Sequence, residues 1–352
     1  MDLRMGKTSP QSDANETGPD NDGTLNTMKA LITGGAGFLG SRLARTLLHH
    51  GQLSGQALTQ LVLADLVPPA ADLTADPRVR AWTGSLLATL QDRADALRNE
   101  NFDVVFHLAS AVSAECEADL DLGLRSNLDT TRALLDALRG AGEPRLVFSS
   151  SVAVFGGDVD LPMPRIIHDD TLPVPQTSYG IQKFVCEQLV ADYTRRGLID
   201  GRSARLMTVT VRPGRPNAAA SGFLSSIVRE PLNGQETVCP VPLDTLVAVA
   251  SPQRAIEGLI KAAEATPDDW GSRTAVNLPG LTVRVSEMLD ALEIAGGRAA
   301  RDRVHFEEDP KISRMMLGWP SAFESARARR LGLASDPDFL SIIRQFQKEQ
   351  AV

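Results

Sequence analysis

Cysteine is scarce in this chain: Cys116, Cys186 and Cys239 are the only three among 352 residues, widely spaced and without a C-x-x-C pair. That argues against a disulfide framework or a thiolate zinc site, so no metal is expected, and it fits a reducing cytoplasmic setting. Aromatic residues are few, at 5%. No apolar run approaches the ~18 residues of a membrane span, and the first residues lack the apolar core of a secretory signal. Positive charge is also short. A net charge of −8 leaves little for a non-specific grip on nucleic acid or anionic lipid. A small anionic ligand stays open, because one local arginine can hold a carboxylate whatever the global sign.

The remaining composition, 43% apolar and 23% charged, is that of a globular chain long enough for a substantial core. Residues 1–27 are polar, with five acids, two bases and no apolar periodicity. They are expected to form a disordered extension, with the folded part beginning at Met28. From there the pattern alternates. Met28–Thr33, Gln60–Asp65, Asp103–Leu108 and Arg145–Ser150 are runs of strand length, while Phe38–His50, Leu86–Arg98 and Leu120–Arg139 have helical spacing. Such alternation predicts an α/β fold, a Rossmann-type doubly wound parallel sheet covered by helices on both faces.

Beyond Ser151 the rhythm loosens. A proline-rich stretch, Leu161–Pro175, precedes a helix carrying Tyr179 and Lys183, and a strand Leu206–Arg212 is read as ending at Pro213-Gly214. Residues 28–215 are therefore expected to form the sheet domain with the catalytic helix. Residues 216–352 are expected to form a smaller C-terminal α/β lobe, mainly for substrate, with some segments returning to the sheet domain.

The first strand runs into Thr33-Gly34-Gly35-Ala36-Gly37-Phe38-Leu39-Gly40, which opens a helix. Glycines let the backbone approach a pyrophosphate, and a helix N-terminus presents unpaired N–H groups to it. Two spacings are possible, Gly35-x-Gly37-x-x-Gly40 and Gly34-x-x-Gly37-x-x-Gly40. Asp65, ending the next strand, is placed to grip a ribose diol and to repel a 2′-phosphate, which favours NAD over NADP. Arg42 and Arg45 would offset that preference if they reached the ribose; otherwise they are solvated. Ligands bind at the carboxyl ends of parallel strands, so Leu108, Ala109, Ser110 and Ser149 should complete the cleft. His107, inside an apolar strand, reads as a satisfied core histidine.

Tyr179 and Lys183 lie one helical turn apart, downstream of Ser149-Ser150-Ser151. Oxidising an alcohol needs a base for the hydroxyl proton while hydride leaves. Free tyrosine has a pKa of ~10, too high for that task near neutrality. A neighbouring ammonium and a cationic nicotinamide would stabilise the tyrosinate. A strand-end serine can hold the substrate oxygen, and Ser151 is the choice.

With these residues in place, the chain resembles the extended short-chain dehydrogenases/reductases of the NAD-dependent epimerase/dehydratase group. Thr33–Gly40 matches that family's TGxxGxxG and Tyr179/Lys183 its YxxxK. Ser149–Gly156 is similar to its serine-rich strand, with Phe155 where the family has tyrosine. The resemblance implies Ser151, Tyr179 and Lys183 as catalytic residues. It implies cofactor contacts from Gly34, Gly37, Phe38, Leu39, Gly40, Asp65, Leu108, Ala109, Ser149, Tyr179, Lys183 and Gly214. Asn127 falls in the family's N-x-x-G-T segment, with Thr130 for its glycine, and Gly84-Ser85 stands where an adenine-side aspartate is usual. Homodimers are common in the family and are expected here.

Dehydratases of the group carry an Asp-Glu pair where this chain has Val152 and Ala153, so elimination lacks an acid. Nucleotide-sugar epimerases carry a later arginine for the diphosphate, yet no Arg or Lys lies between Gly234 and Gln253. A small substrate is favoured instead, met by Ser110, Ser151, Tyr179, Arg215, Asn217 and Ser221. Arg215 is either a carboxylate clamp or a surface charge, with Arg284 and Arg314 as competitors. Arg212 is expected beneath the sheet in a buried ion pair. Thr177–Leu189, Val211–Pro242 and Gly318–Gly332 resemble the branch that oxidises the C2 hydroxyl of a four-carbon sugar acid with NAD. Nucleoside-diphosphate-sugar epimerisation is the alternative, and a non-catalytic dinucleotide sensor a third.

Overall fold

A computed structural model describes residues 27–92, 94–214 and 220–350. The expected extension (all but Thr27, which opens the first strand), Arg215 and Asn217 lie outside them. Seven parallel strands form the main sheet. Its order is Val276–Asn277, Asp200–Leu206, Arg145–Ser151, Val104–His107, Thr27–Thr33, Gln56–Asp65, Val79–Thr83, with Gln52–Leu53 added antiparallel to Gln56–Asp65. Chain order reverses at Thr27–Thr33, which pairs with Gln56–Asp65 on one side and Val104–His107 on the other. A crevice opens at the carboxyl ends of the strands at such a reversal.

Local chemistry explains the first strand–turn–helix unit. Ala30 and Ile32 of the strand are buried with Leu43 and Leu47 of the helix Phe38–His50. That helix stops at Gly51, whose left-handed φ of 68° lets its N–H reach the Leu47 carbonyl at 2.9 Å. A second core gathers Leu224, Ile227, Val249, Met288, Leu292 and Phe346 in the C-terminal region. A three-stranded sheet there joins Thr208–Val209, Leu246–Ala250 and Leu281–Arg284. Helix Pro252–Glu264 and strand Val276–Asn277 return to the main sheet.

Three sequence expectations are corrected. Leu86–Arg98 is not one helix; the helices there are Leu86–Asp92 and Ala94–Glu100. Leu120–Arg139 holds Leu120–Gly123, a π-helical turn Leu124–Asp129 and Thr130–Leu138. In the wide turn the Thr130 hydroxyl donates to the Arg125 carbonyl five residues back, at 2.9 Å. The sixth long strand is Asp200–Leu206 rather than Leu206–Arg212; of the latter, Leu206 closes that strand and Thr208–Val209 joins a second sheet. Hydropathy hides that strand because its buried charges have partners. Arg202 donates to Asp200 at 2.7 and 2.8 Å, and Arg205 to Glu187 at 2.8 and 2.7 Å.

Candidate active site

Two adjoining cavities occupy the crevice. The larger, about 790 Å³, runs along the glycine turn past Gly34, Gly37, Phe38, Leu39, Gly40, Asp65, Gly84 and Ala109. The smaller, about 320 Å³, is walled by Ser151, Tyr179, Lys183, Arg212, Ser221 and Trp319. Phe38, Leu39, Leu108, Ser110 and Ser149 line both, so the cavities are continuous.

Packing requires the glycines of both spacings. Gly34 has φ 73°, and a Cβ there would lie 2.8 Å from the Ala109 amide nitrogen. A Cβ on Gly40 would collide with the Gly34 carbonyl, and one on Gly35 would lie 2.8 Å from Leu63 Cβ and 3.0 Å from its Cα. The helix Phe38–His50 begins at Gly37 with no side-chain cap, which leaves its first N–H groups for an anion. Asp65 accepts from the Ala36 N–H at 2.9 Å and the Leu66 N–H at 2.7 Å. Each carboxylate oxygen keeps a lone pair for a ribose hydroxyl. Arg42 is paired with Glu349 and Arg45 with Asp72, so neither is given over to a 2′-phosphate. The groove therefore fits NAD. Gly214, exposed at φ 85°, lines neither cavity.

Tyr179 and Lys183 project from the helix Ser178–Arg195, whose N-cap Thr177 accepts from the Gly180 N–H at 3.1 Å. Lys183 is only 3% exposed. Its ammonium donates to the Ser149 carbonyl at 2.8 Å and lies 5.6 Å from the centre of the Tyr179 ring. A fixed positive charge thus stands beside the phenol. The Ser151 oxygen accepts from the Ala153 N–H at 3.1 Å, which leaves its own O–H to donate to a substrate oxygen. Ser150 is used differently, donating to Glu187 at 2.5 Å.

Asn127 ties the supporting polar groups together. Asn127 Oδ1 accepts from Ser110 Oγ at 2.9 Å and from the Ala111 N–H at 2.8 Å, and its amide donates to Gln182 at 2.8 Å. His107 sits between Thr33 and Thr131 at 2.6 and 2.9 Å, as a core histidine should. Burial, and then the Lys183 charge, pull it down to about 3, so it stays neutral near pH 7.

Arg212 departs from expectation. It makes no ion pair among the described residues; the pair buried beside the sheet is Arg205 with Glu187. Its Nε donates to the Val209 carbonyl at 2.9 Å, and the side chain lines the smaller cavity. Trp319 also reaches that wall and was not foreseen. Position at the carboxyl end of the sheet could have pointed to Arg212; nothing local marks Trp319.

The NAD dependent epimerase/dehydratase family matches residues 30–246. The chain belongs to that family. It is 46% identical over 329 residues to the D-erythronate dehydrogenase of Cupriavidus necator, covering 92% of this chain and 98% of that protein. It is 41% identical over 320 residues to the D-erythronate dehydrogenase of Haemophilus influenzae, covering 91% and 98%. A solved structure described as the nucleoside-diphosphate-sugar epimerase from Agrobacterium tumefaciens matches with a TM-score of 0.86 at 39% identity, covering 99% of this chain and 98% of that one. NAD is the family's cofactor, and the glycine turn and Asp65 suit it. No helix among the described residues is long and apolar enough to cross a membrane.

Proposed function

We propose that this family member is an NAD-dependent dehydrogenase that oxidises the C2 hydroxyl of a small sugar acid, D-erythronate, to its 2-oxo acid. One observation carries the reading: Ser151, Tyr179 and Lys183 converge on a cavity of about 320 Å³ at the mouth of the dinucleotide groove. The two erythronate dehydrogenases, matched along nearly their whole length, support the choice of acid.

NAD, when bound, supplies the hydride acceptor. Ser151 donates to the substrate oxygen and steadies its orientation. Tyr179, as phenolate, takes the C2 hydroxyl proton while the C2–H bond breaks. The Lys183 ammonium, bound to the Ser149 carbonyl, stabilises the phenolate's charge and would hold the nicotinamide ribose. Ser110 and Ser221 add hydroxyls to the cavity wall.

The epimerase description of the Agrobacterium structure favours a second reading, turnover of a nucleotide sugar. Lys183 and Arg212 are the only cations on the smaller cavity's wall among the described residues, which is thin provision for a diphosphate. A screen of four- to six-carbon aldonates with NAD tests the two readings. NADH accumulating with D-erythronate supports dehydrogenation. Interconversion of a UDP-sugar without net NADH would replace it with epimerisation.

A homodimer fits the apolar side chains left in water. Leu120, Ile181 and Val185 are 57%, 50% and 38% exposed, and the last two lie one turn apart on the catalytic helix. Light scattering after gel filtration reads that state directly. Three buried, unpaired cysteines agree with a cytoplasmic setting.

A further inference from the structure

We propose that Arg212 is the carboxylate anchor of this site and the residue that makes it select 2-hydroxy acids. The inference rests on the dehydrogenase reading above and assigns the acid group a partner. Other buried guanidiniums in the chain have protein partners for both terminal nitrogens: Arg202, Arg205 and Arg229 sit on Asp200, Glu187 and Glu230, and Arg327 on the carbonyls of Trp270, Ser272, Thr274 and Ala275. Arg212 has no such carboxylate among the described residues, yet it is held in the cavity wall beside Tyr179 and Ser151. A largely buried cation without a counter-ion is costly unless an anion arrives with the ligand.

Its placement is built rather than incidental. The Arg212 N–H donates to Ser225 Oγ at 3.1 Å, its carbonyl accepts from Arg229 Nη1 at 2.7 Å, and its Nε is spent on the Val209 carbonyl. Three bonds thus fix the backbone and the base of the fork, while the terminal nitrogens Nη1 and Nη2 carry the geometry that suits a carboxylate. Burial pulls the guanidinium below its ordinary value, and an anionic Tyr179 pushes it back up. The two charges therefore feel each other across the cavity. A carboxylate on Arg212 would lie close to the oxygen handled by Tyr179, which places the reacting hydroxyl on the adjacent carbon. Lys183 has other work: one N–H goes to the Ser149 carbonyl, and the remaining donors face the phenolate and the nicotinamide ribose in the reading above.

The test compares D-erythronate with its uncharged amide, D-erythronamide, in the wild type and in Arg212→Met, Arg212→Gln and Arg215→Met. Arg212→Gln keeps a donor for the Val209 carbonyl, so a loss it shares with Arg212→Met is a loss of charge. Both Arg212 variants are expected to raise KM for the acid about 100-fold, the scale of a charge-assisted bond. They should lower kcat/KM for the amide by no more than about tenfold, the scale of a neutral hydrogen bond, and leave the Kd for NAD unchanged, and Arg215→Met should keep the acid preference. Equal losses on acid and amide would make Arg212 structural only and overturn the proposal. So would an acid preference that survives in both Arg212 variants or disappears in Arg215→Met. A wild type that oxidises no sugar acid at all would instead overturn the dehydrogenase reading on which this one stands.

Discussion

Gly180→Ala tests how the catalytic helix is seated. Gly180 follows Tyr179, and a Cβ on it would land on the Ala153 carbonyl oxygen, with the Ala153 carbonyl carbon at 3.0 Å and Pro175 Cβ at 3.1 Å. Real Cβ contacts stay beyond 3.0 Å, and two of these neighbours are backbone. Either the helix or the short turn Val152–Val154 must then retreat by about 1 Å, a misplacement that costs catalysis on the order of 100-fold. The turn cannot move quietly, because the Ala153 N–H holds the Ser151 hydroxyl oxygen. Overpacking of this kind destabilises by about 1–3 kcal/mol, which a protein with ~5–15 kcal/mol of stability survives. The assay is initial-rate kinetics with D-erythronate, alongside NAD titration and a thermal melt. The expected result is kcat down about 100-fold, the NAD Kd unchanged and a slightly lowered Tm. A variant with wild-type kcat would refute the seating, and one that lost NAD binding would show that the strain falls on the glycine turn instead.

Other perturbations separate the parts of the site. Tyr179→Phe removes the proton acceptor and should lower kcat by about 1,000-fold with NAD affinity retained, as fluorescence titration would show. Asp65→Asn removes the repulsion of a 2′-phosphate and should lower the NAD-over-NADP preference in kcat/KM about tenfold or more; an unchanged ratio would mean that Asp65 only shapes the turn. The Asp200 carboxyl is penalised by burial, but Arg202 and Arg145 outweigh this and hold it below its ordinary range. Its contribution to stability is therefore present above pH ~4 and lost as the pH falls further, through the folded-state value. Asp200→Asn should lower Tm clearly at neutral pH, with the gap to wild type closing in acid.

Much of this was legible because its signals are local. The glycine turn, Asp65 at the end of the second long strand, and the Tyr179–Lys183 spacing each depend on neighbours within one strand–turn–helix unit. Met28–Thr33 and Phe38–His50 were read correctly for the same reason, since one apolar face decides each. What was misread depends on partners far along the chain. Asp200–Leu206 looks too charged for a central strand until Glu187 neutralises Arg205 and Trp270 covers Arg202, its guanidinium 5.5 Å from the ring centre. The break in the long helix at Leu124–Asp129 follows buried bonds of Asn127 to Ala111 and Gln182, which periodicity does not register. Arg212 was placed under the sheet on the assumption that a buried arginine has a protein carboxylate. Its exception is the informative part.

The most direct measurement uses D-erythronate deuterated at C2, incubated with the enzyme and NAD, with the reduced cofactor recovered and its isotope content read by NMR. Transfer of the C2 deuterium to the nicotinamide, abolished in Tyr179→Phe, is the expected result. NADH that forms without deuterium, or deuterium retained on the carbon skeleton, would contradict oxidation at C2 beside Tyr179.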